Sequence, residues 1–176
     1  MSATDEQQLD NVKSFFQKYG SAIVTGILIA LIAFFGWEYW QKKTLAENQN
    51  ATAKVQQLMD DANVANGDAK IITALSASAA KIVKDNPDSV QAIQSQMVMA
   101  KLAYEKNDYA LAERELKKVE NSKIKDIGLL QVVKIKLADA QLAQKKYDDA
   151  LKTLSAVTDP AFQATAEELK GDIYVA

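Results

Sequence analysis

The sequence predicts an all-helical protein: one N-terminal transmembrane helix followed by an array of helical hairpins. Three observations predict it. Residues Tyr19 to Trp37 run for 19 residues without a charge. Only 6 glycines and 2 prolines punctuate 176 residues, and no segment alternates apolar and polar positions with period two. Two stretches of 23 residues repeat one another at an offset of 38 with no gap.

The apolar run comes first. As a helix rising ~1.5 Å per residue it spans about 28 Å, close to the thickness of a bilayer's hydrocarbon core. Phe15, Phe16 and Tyr19 precede it, and Trp37, Tyr39 and Trp40 follow, where amphipathic rings sit at headgroup level. Lys18 and the pair Lys42-Lys43 flank it, with stems long enough to reach water. A cleaved signal would have a shorter apolar core behind a basic start. Here Asp5, Glu6 and Asp10 lead, and the exit reads Trp37-Glu38-Tyr39-Trp40 without a small-residue cleavage site. Residues 1–18 are expected as a tail, 19–40 as the transmembrane helix and 41–54 as a helical or frayed stalk without an apolar stripe. Residues 55–176 are expected as the repeat domain.

Within that domain, turn-forming clusters separate helical segments. They are Asn66-Gly67-Asp68, Asp85 to Ser89, Lys106-Asn107-Asp108, Glu120 to Lys123, Lys145-Lys146 and Thr158-Asp159-Pro160. Asp159 before Pro160 reads as an N-cap and first-turn pair. The repeat places residues 97–119 over 135–157. Ala100 falls on Ala138, Tyr109 on Tyr147, Ala112 on Ala150, Leu116 on Leu154 and Val119 on Val157. Each unit is a helix, a short polar turn and a second helix. The small residues let paired helices approach, and the large ones fill the space toward the next unit.

Composition excludes several functions. Net charge is −2, and from Thr44 onward 17 Lys and Arg face 19 Asp and Glu. That is no footprint for nucleic acid. Histidine and cysteine are both absent, which removes the commonest general base, thiolate chemistry and the usual transition-metal ligands. No phosphate-cradling glycine motif occurs. No catalytic residue, metal or cofactor is expected. The acidic pairs Asp60-Asp61, Asp148-Asp149 and Glu167-Glu168 would diverge on a helix and read as solvated faces. Asp148 and Asp149 also begin a helix, where negative charge suits the dipole. Tyr109 and Tyr147 read as turn packing.

Two surfaces remain as binding candidates. Gln94, Met97, Lys101 and Tyr104, then Ile135, Asp139 and Leu142, lie on first-helix positions off the alanine stripe. They would line a groove for partner proteins, although inter-helix core also accounts for the apolar members. In the anchor, Ala22, Gly26, Ala30 and Ala33 form a small-residue stripe that would permit contact with another transmembrane helix. Ordinary alanine and glycine usage explains the stripe as well.

The repeat resembles the tetratricopeptide repeat, a helix-turn-helix of 34 residues with small residues at fixed positions. The four extra residues fit the loop around Lys123 to Asp126. Ile82 to Ser89 resembles the proline-bearing end of an earlier unit. Leu169 to Tyr174 resembles the middle of another first helix, with Gly171 where a small residue is expected. The apolar Ile173, Tyr174 and Val175 at the end point to a domain truncated at its C-terminus.

Taken together, the start DEQQLDNVKSFFQKYG, the anchor end GWEYW and the later LKGDIY resemble the YfgM-type ancillary subunits of the bacterial Sec translocon. The resemblance covers nearly the whole chain. It implies an inner-membrane protein with a cytoplasmic tail and a periplasmic repeat domain. It also implies partners: the SecYEG translocon, a membrane-anchored periplasmic peptidyl-prolyl isomerase-like chaperone, and translocating client proteins. The role implied is a scaffold or chaperone-like accessory rather than an enzyme. Without the resemblance, an adaptor for another cell-envelope complex, or an enzyme built on carboxylates, would remain open. Charge alone points the other way on topology. Lys13 and Lys18 precede the span, whereas Lys42, Lys43 and Lys54 follow it, a slight excess that would keep the domain inside. A long soluble domain translocates largely regardless of its charge, so the arrangement implied by the resemblance is the expectation.

Overall fold

The computed structural model describes residues 3–65 and 68–176, with side chains for residue 13 and from Tyr19 onward. The Asn66-Gly67 breaker and the side chains of Phe15, Phe16 and Lys18 lie outside the described residues. The all-helical expectation is borne out. The elements are α1 (Ala3–Val64), α2 (Ala69–Asp85), α3 (Val90–Glu105), α4 (Tyr109–Lys117), α5 (Ile127–Ala143), α6 (Tyr147–Ser155) and α7 (Pro160–Val175), with no strand among the described residues.

The chain forms two compact units, Met1–Gln49 and Asn50–Ala176. In the first, every side chain from Ser21 to Trp37 is exposed. Ile32 is 72% exposed and Phe34 62%, so the apolar surface runs round the whole helix. A helix apolar all round is covered by protein or by lipid. This one is long and apolar enough to cross a membrane, and none of its apolar window is buried. Thr25 donates its hydroxyl to the Ser21 carbonyl at 2.8 Å, which satisfies it within the helix. The Trp37 and Trp40 rings lie 5.9 Å apart at the end of the apolar run.

In the second unit the helix starts follow the sequence signals. Asp68, Ser89, Asp108, Asp126 and Asp159 each accept a first-turn backbone N–H with the side chain, at 2.8–3.0 Å. Pro160 occupies the first turn of α7. The turns after α3 and α5 are copies of each other. Asn107 and Lys145 take left-handed φ of 58° and 61°. Asp108 N–H donates to the Ala103 carbonyl and Lys146 N–H to the Gln141 carbonyl, both at 2.9 Å. These bonds close Schellman turns at residues 38 apart. Asn tolerates the left-handed region; Lys145 adopts it at a cost of about 1 kcal/mol.

Packing follows the 38-residue register. Ala100, Ala112, Leu116 and Val119, and their counterparts Ala138, Ala150, Leu154 and Val157, are all buried. Among the described residues the core comprises three clusters. The first joins Leu58 and Ala65 to Leu75 and Ala79 of α2 and Met99 and Leu102 of α3. The second joins α3 and α4 to Val133, Leu137 and Ala140 of α5. The third joins Ala138, Ala150 and Leu154 to Ala166 and Ile173 of α7. Each hairpin therefore buries its apolar face against its neighbours only, the pattern of a helical-repeat solenoid. Burying a leucine such as Leu116 or Leu154 contributes roughly 1.5–3 kcal/mol.

Polar ties reinforce the junctions. The loop between α4 and α5 is held by Asp88, whose carboxylate accepts from Lys123 N–H at 2.7 Å and Ser122 Oγ at 3.2 Å. Buried Gln131 accepts from Thr158 N–H at 3.0 Å. Glu115 is fully buried on α4, paired with Arg114 and Lys118, and accepts from Ser76 Oγ of α2 at 3.2 Å. Gln96 is fully buried as well, and neither amide atom has a partner among the described residues. Gly171 departs from the sequence reading. It occupies the register position of Ala138 but is exposed, and a Cβ built there meets nothing within 4 Å.

Candidate binding groove

Helix α3 supplies the groove because its sequence puts two kinds of residue on two faces. The alanines and Met99 face the core. Gln94, Met97, Lys101 and Tyr104, at spacings of three and four, share a second stripe, from which half-buried Met97 and Tyr104 also pack against the second core cluster. A groove of about 690 Å³ opens along that stripe. Buried Ala100 and Leu116 reach its floor. Met59, Val98 and Leu129 extend its apolar wall, and Lys101, Glu105, Lys136 and Asp139 bring charge of both signs to it.

Tyr104 is one of the lining residues. Its hydroxyl lies 3.5 Å from the Asp139 carbonyl on α5, a weak contact. Its ring meets Tyr109 edge-on at 4.8 Å. Burial pushes its hydroxyl well above the usual phenol range, and the Asp139 carboxylate adds to that. The hydroxyl therefore stays a protonated donor at neutral pH.

Of the seven groove residues expected from sequence, Gln94, Met97, Lys101, Tyr104 and Asp139 come together here. Ile135 and Leu142 do not line it. They are half-buried against the third core cluster, beside Phe162 and Leu169 of α7. The reason is the solenoid itself: α7 stands beside α5 as α5 stands beside α3. Met59, Val98, Glu105, Leu129 and Lys136 were not anticipated. Val98 and Lys136 are one register position in successive repeats, so the 38-residue offset could have found them together.

In the other unit, Ala22, Gly26, Ala30 and Ala33 are all exposed on α1, and nothing lies within 4 Å of a Cβ built at Gly26. Tyr109 donates its hydroxyl to Asn107 Oδ1 at 2.8 Å, closing its own turn. Among the described residues no three acidic side chains gather where a metal ion could sit. Asp148 and Asp149 lie in the first turn of α6.

A membrane-length apolar helix joined to stacked helical hairpins with a side-chain-lined groove defines the class: a helical-repeat protein with an N-terminal apolar helix. The model of the tetratricopeptide repeat-like domain family matches residues 13–176, and the chain belongs to that family. Curated relatives align over nearly the whole chain. The chain is 28% identical to an ancillary SecYEG translocon subunit of Neisseria gonorrhoeae over 98% of its own length and 80% of the relative's. It is 28% identical to one of Haemophilus influenzae, over 99% and 82%. It is 27% identical to one of Escherichia coli, over 96% and 78%. The likeness to YfgM-type subunits read from short sequence segments is thereby borne out along the chain. No solved structure matches it.

Proposed function

We propose that the protein is a membrane-anchored, non-enzymatic accessory of the Sec translocon, which holds partner proteins or emerging clients in the groove of its helical repeats. Residues 1–18 form a cytoplasmic tail, 19–40 span the inner membrane, 41–54 form a stalk, and 55–176 form a periplasmic repeat domain. A membrane-anchored peptidyl-prolyl isomerase-like chaperone is a further partner. In the membrane, the Ala22-Gly26-Ala30-Ala33 stripe is the contact surface for another helix.

The observation that carries the reading is the groove. Methionines and a tyrosine line an open apolar channel, and methionine adapts to varied apolar segments. Charges of both signs at its rim favour no single client charge. The relatives' names supply the translocon. Without histidine or cysteine, the chain lacks the commonest general base and thiolate chemistry.

The test is topology. The chain has no native cysteine, so single cysteines report cleanly. Thr4→Cys and Ala164→Cys, the latter exposed on α7, are placed separately in the full chain. Cells with a permeabilised outer membrane then meet a membrane-impermeant thiol reagent. Ala164→Cys should label and Thr4→Cys should not. The reverse pattern would overturn the role at the channel exit.

A further inference from the structure

One register position breaks the copy between hairpins. Asp108 begins α4 and caps it with its own carboxylate, which accepts from Leu111 N–H at 3.0 Å. The equivalent residue before α6 is Lys146, and α6 has no side-chain cap. A lysine cannot accept that bond. Its ammonium instead reaches Glu113 of the preceding hairpin at 2.6 Å.

Glu113 is 5% exposed. Besides Lys146 it pairs with Lys117 of its own helix at 2.7 Å and accepts from Gln144 Nε2 at 2.9 Å. The Gln144 amide also donates to the Tyr109 carbonyl at 3.0 Å. Tyr109 packs on Tyr104, and Tyr104 meets the Asp139 carbonyl. A continuous chain of contacts thus runs from the Glu113 carboxylate to Tyr104 in the groove lining.

We infer that Glu113, with Lys146 and Gln144, is a brace that fixes the third hairpin (α5 and α6) to the second (α3 and α4) and thereby sets the separation of α3 and α5 across the groove. The third hairpin has exchanged a local helix cap for a bond to its neighbour. A cap stabilises one helix, whereas this bond fixes the angle between two hairpins. Glu113, Gln144 and Lys146 do not line the groove, so a client need not touch them.

Glu113→Gln in the full chain, purified in detergent, tests this. Two readouts are taken. Amide hydrogen exchange in the 144–147 turn and the start of α6 should quicken about tenfold or more, the factor for losing a bond to a charged group. Exchange in α2 should not change. Nitroxides on Lys101→Cys and Lys136→Cys, both exposed on the groove walls, should report a narrow distance distribution that Glu113→Gln broadens. Lys146→Met keeps the apolar stem and should behave alike, which covers a failure of Glu113→Gln to fold. Lys146→Arg should restore the native values. Unchanged exchange at α6 would overturn the brace. Faster exchange with an unchanged distance distribution would overturn its link to the groove. Neither readout depends on what the groove binds.

Discussion

Ala138 is fully buried where α5 meets α6, and Ala150 faces the same contact from the other helix. The repeat spacing marks both positions because helices this close leave room only for a methyl group. Ala138→Leu should overpack the contact and cost roughly 1–3 kcal/mol. Lys152→Leu, at an exposed site on α6, should change stability little. Chemical denaturation of the two variants checks this, and equal midpoint shifts would refute the register. Other residues were not legible. Gln96 has the same polarity as Gln94, and nothing in the sequence says that one is fully buried and the other half-exposed. Gly171 matches the small-residue pattern yet packs against nothing, because the pattern records spacing and not the neighbour that makes it necessary.

At the scale of elements, α4 is held by one buried carboxylate on each side. Glu115 ties it to α2 through Ser76, and Glu113 ties it to the turn before α6. Burial would raise the Glu113 carboxyl, but hydrogen bonds from Lys117, Lys146 and Gln144 outweigh that and hold it at about 2. Its ordinary value is 4.5. Between these values the unfolded chain binds the proton and the folded chain does not. Stability from this group is therefore complete above about pH 4.5 and is lost as pH falls toward about 2. The loss is at most about 3 kcal/mol, less for screening of the half-exposed lysines. Melting temperatures of the native chain and Glu113→Gln, measured from pH 6 downward, should converge as the acid rises; parallel curves would contradict this. Element starts were legible because caps are local chemistry: Asp or Ser beside the first turn. The ties between elements were not, since Glu113 and Lys146 lie 33 residues apart and polar positions carry no periodic signal. The same limit explains the groove. Its α3 stripe could be read from one helix, whereas Met59 and Leu129 come from helices on either side.

For the whole molecule, the division of labour is written in the surface. From Tyr19 to Trp40 the large apolar side chains are exposed, whereas Asn50–Ala176 buries most of its own in core clusters. Residues 50–176 expressed alone should be soluble and mostly helical. Circular dichroism dominated by coil or strand would show that the repeats depend on the first unit. On the proposed function, the groove of residues 50–176 meets proteins at the Sec channel. Site-specific photo-crosslinking tests it most directly, with a benzophenone amino acid at Met97, half-buried in the groove, or at exposed Lys152 outside it. The full chain is irradiated in native inner membranes containing chains halted during translocation. Met97 should yield adducts with the halted chains or with channel-associated proteins, well above those from Lys152. Adducts at Met97 no more frequent than at Lys152 would contradict it.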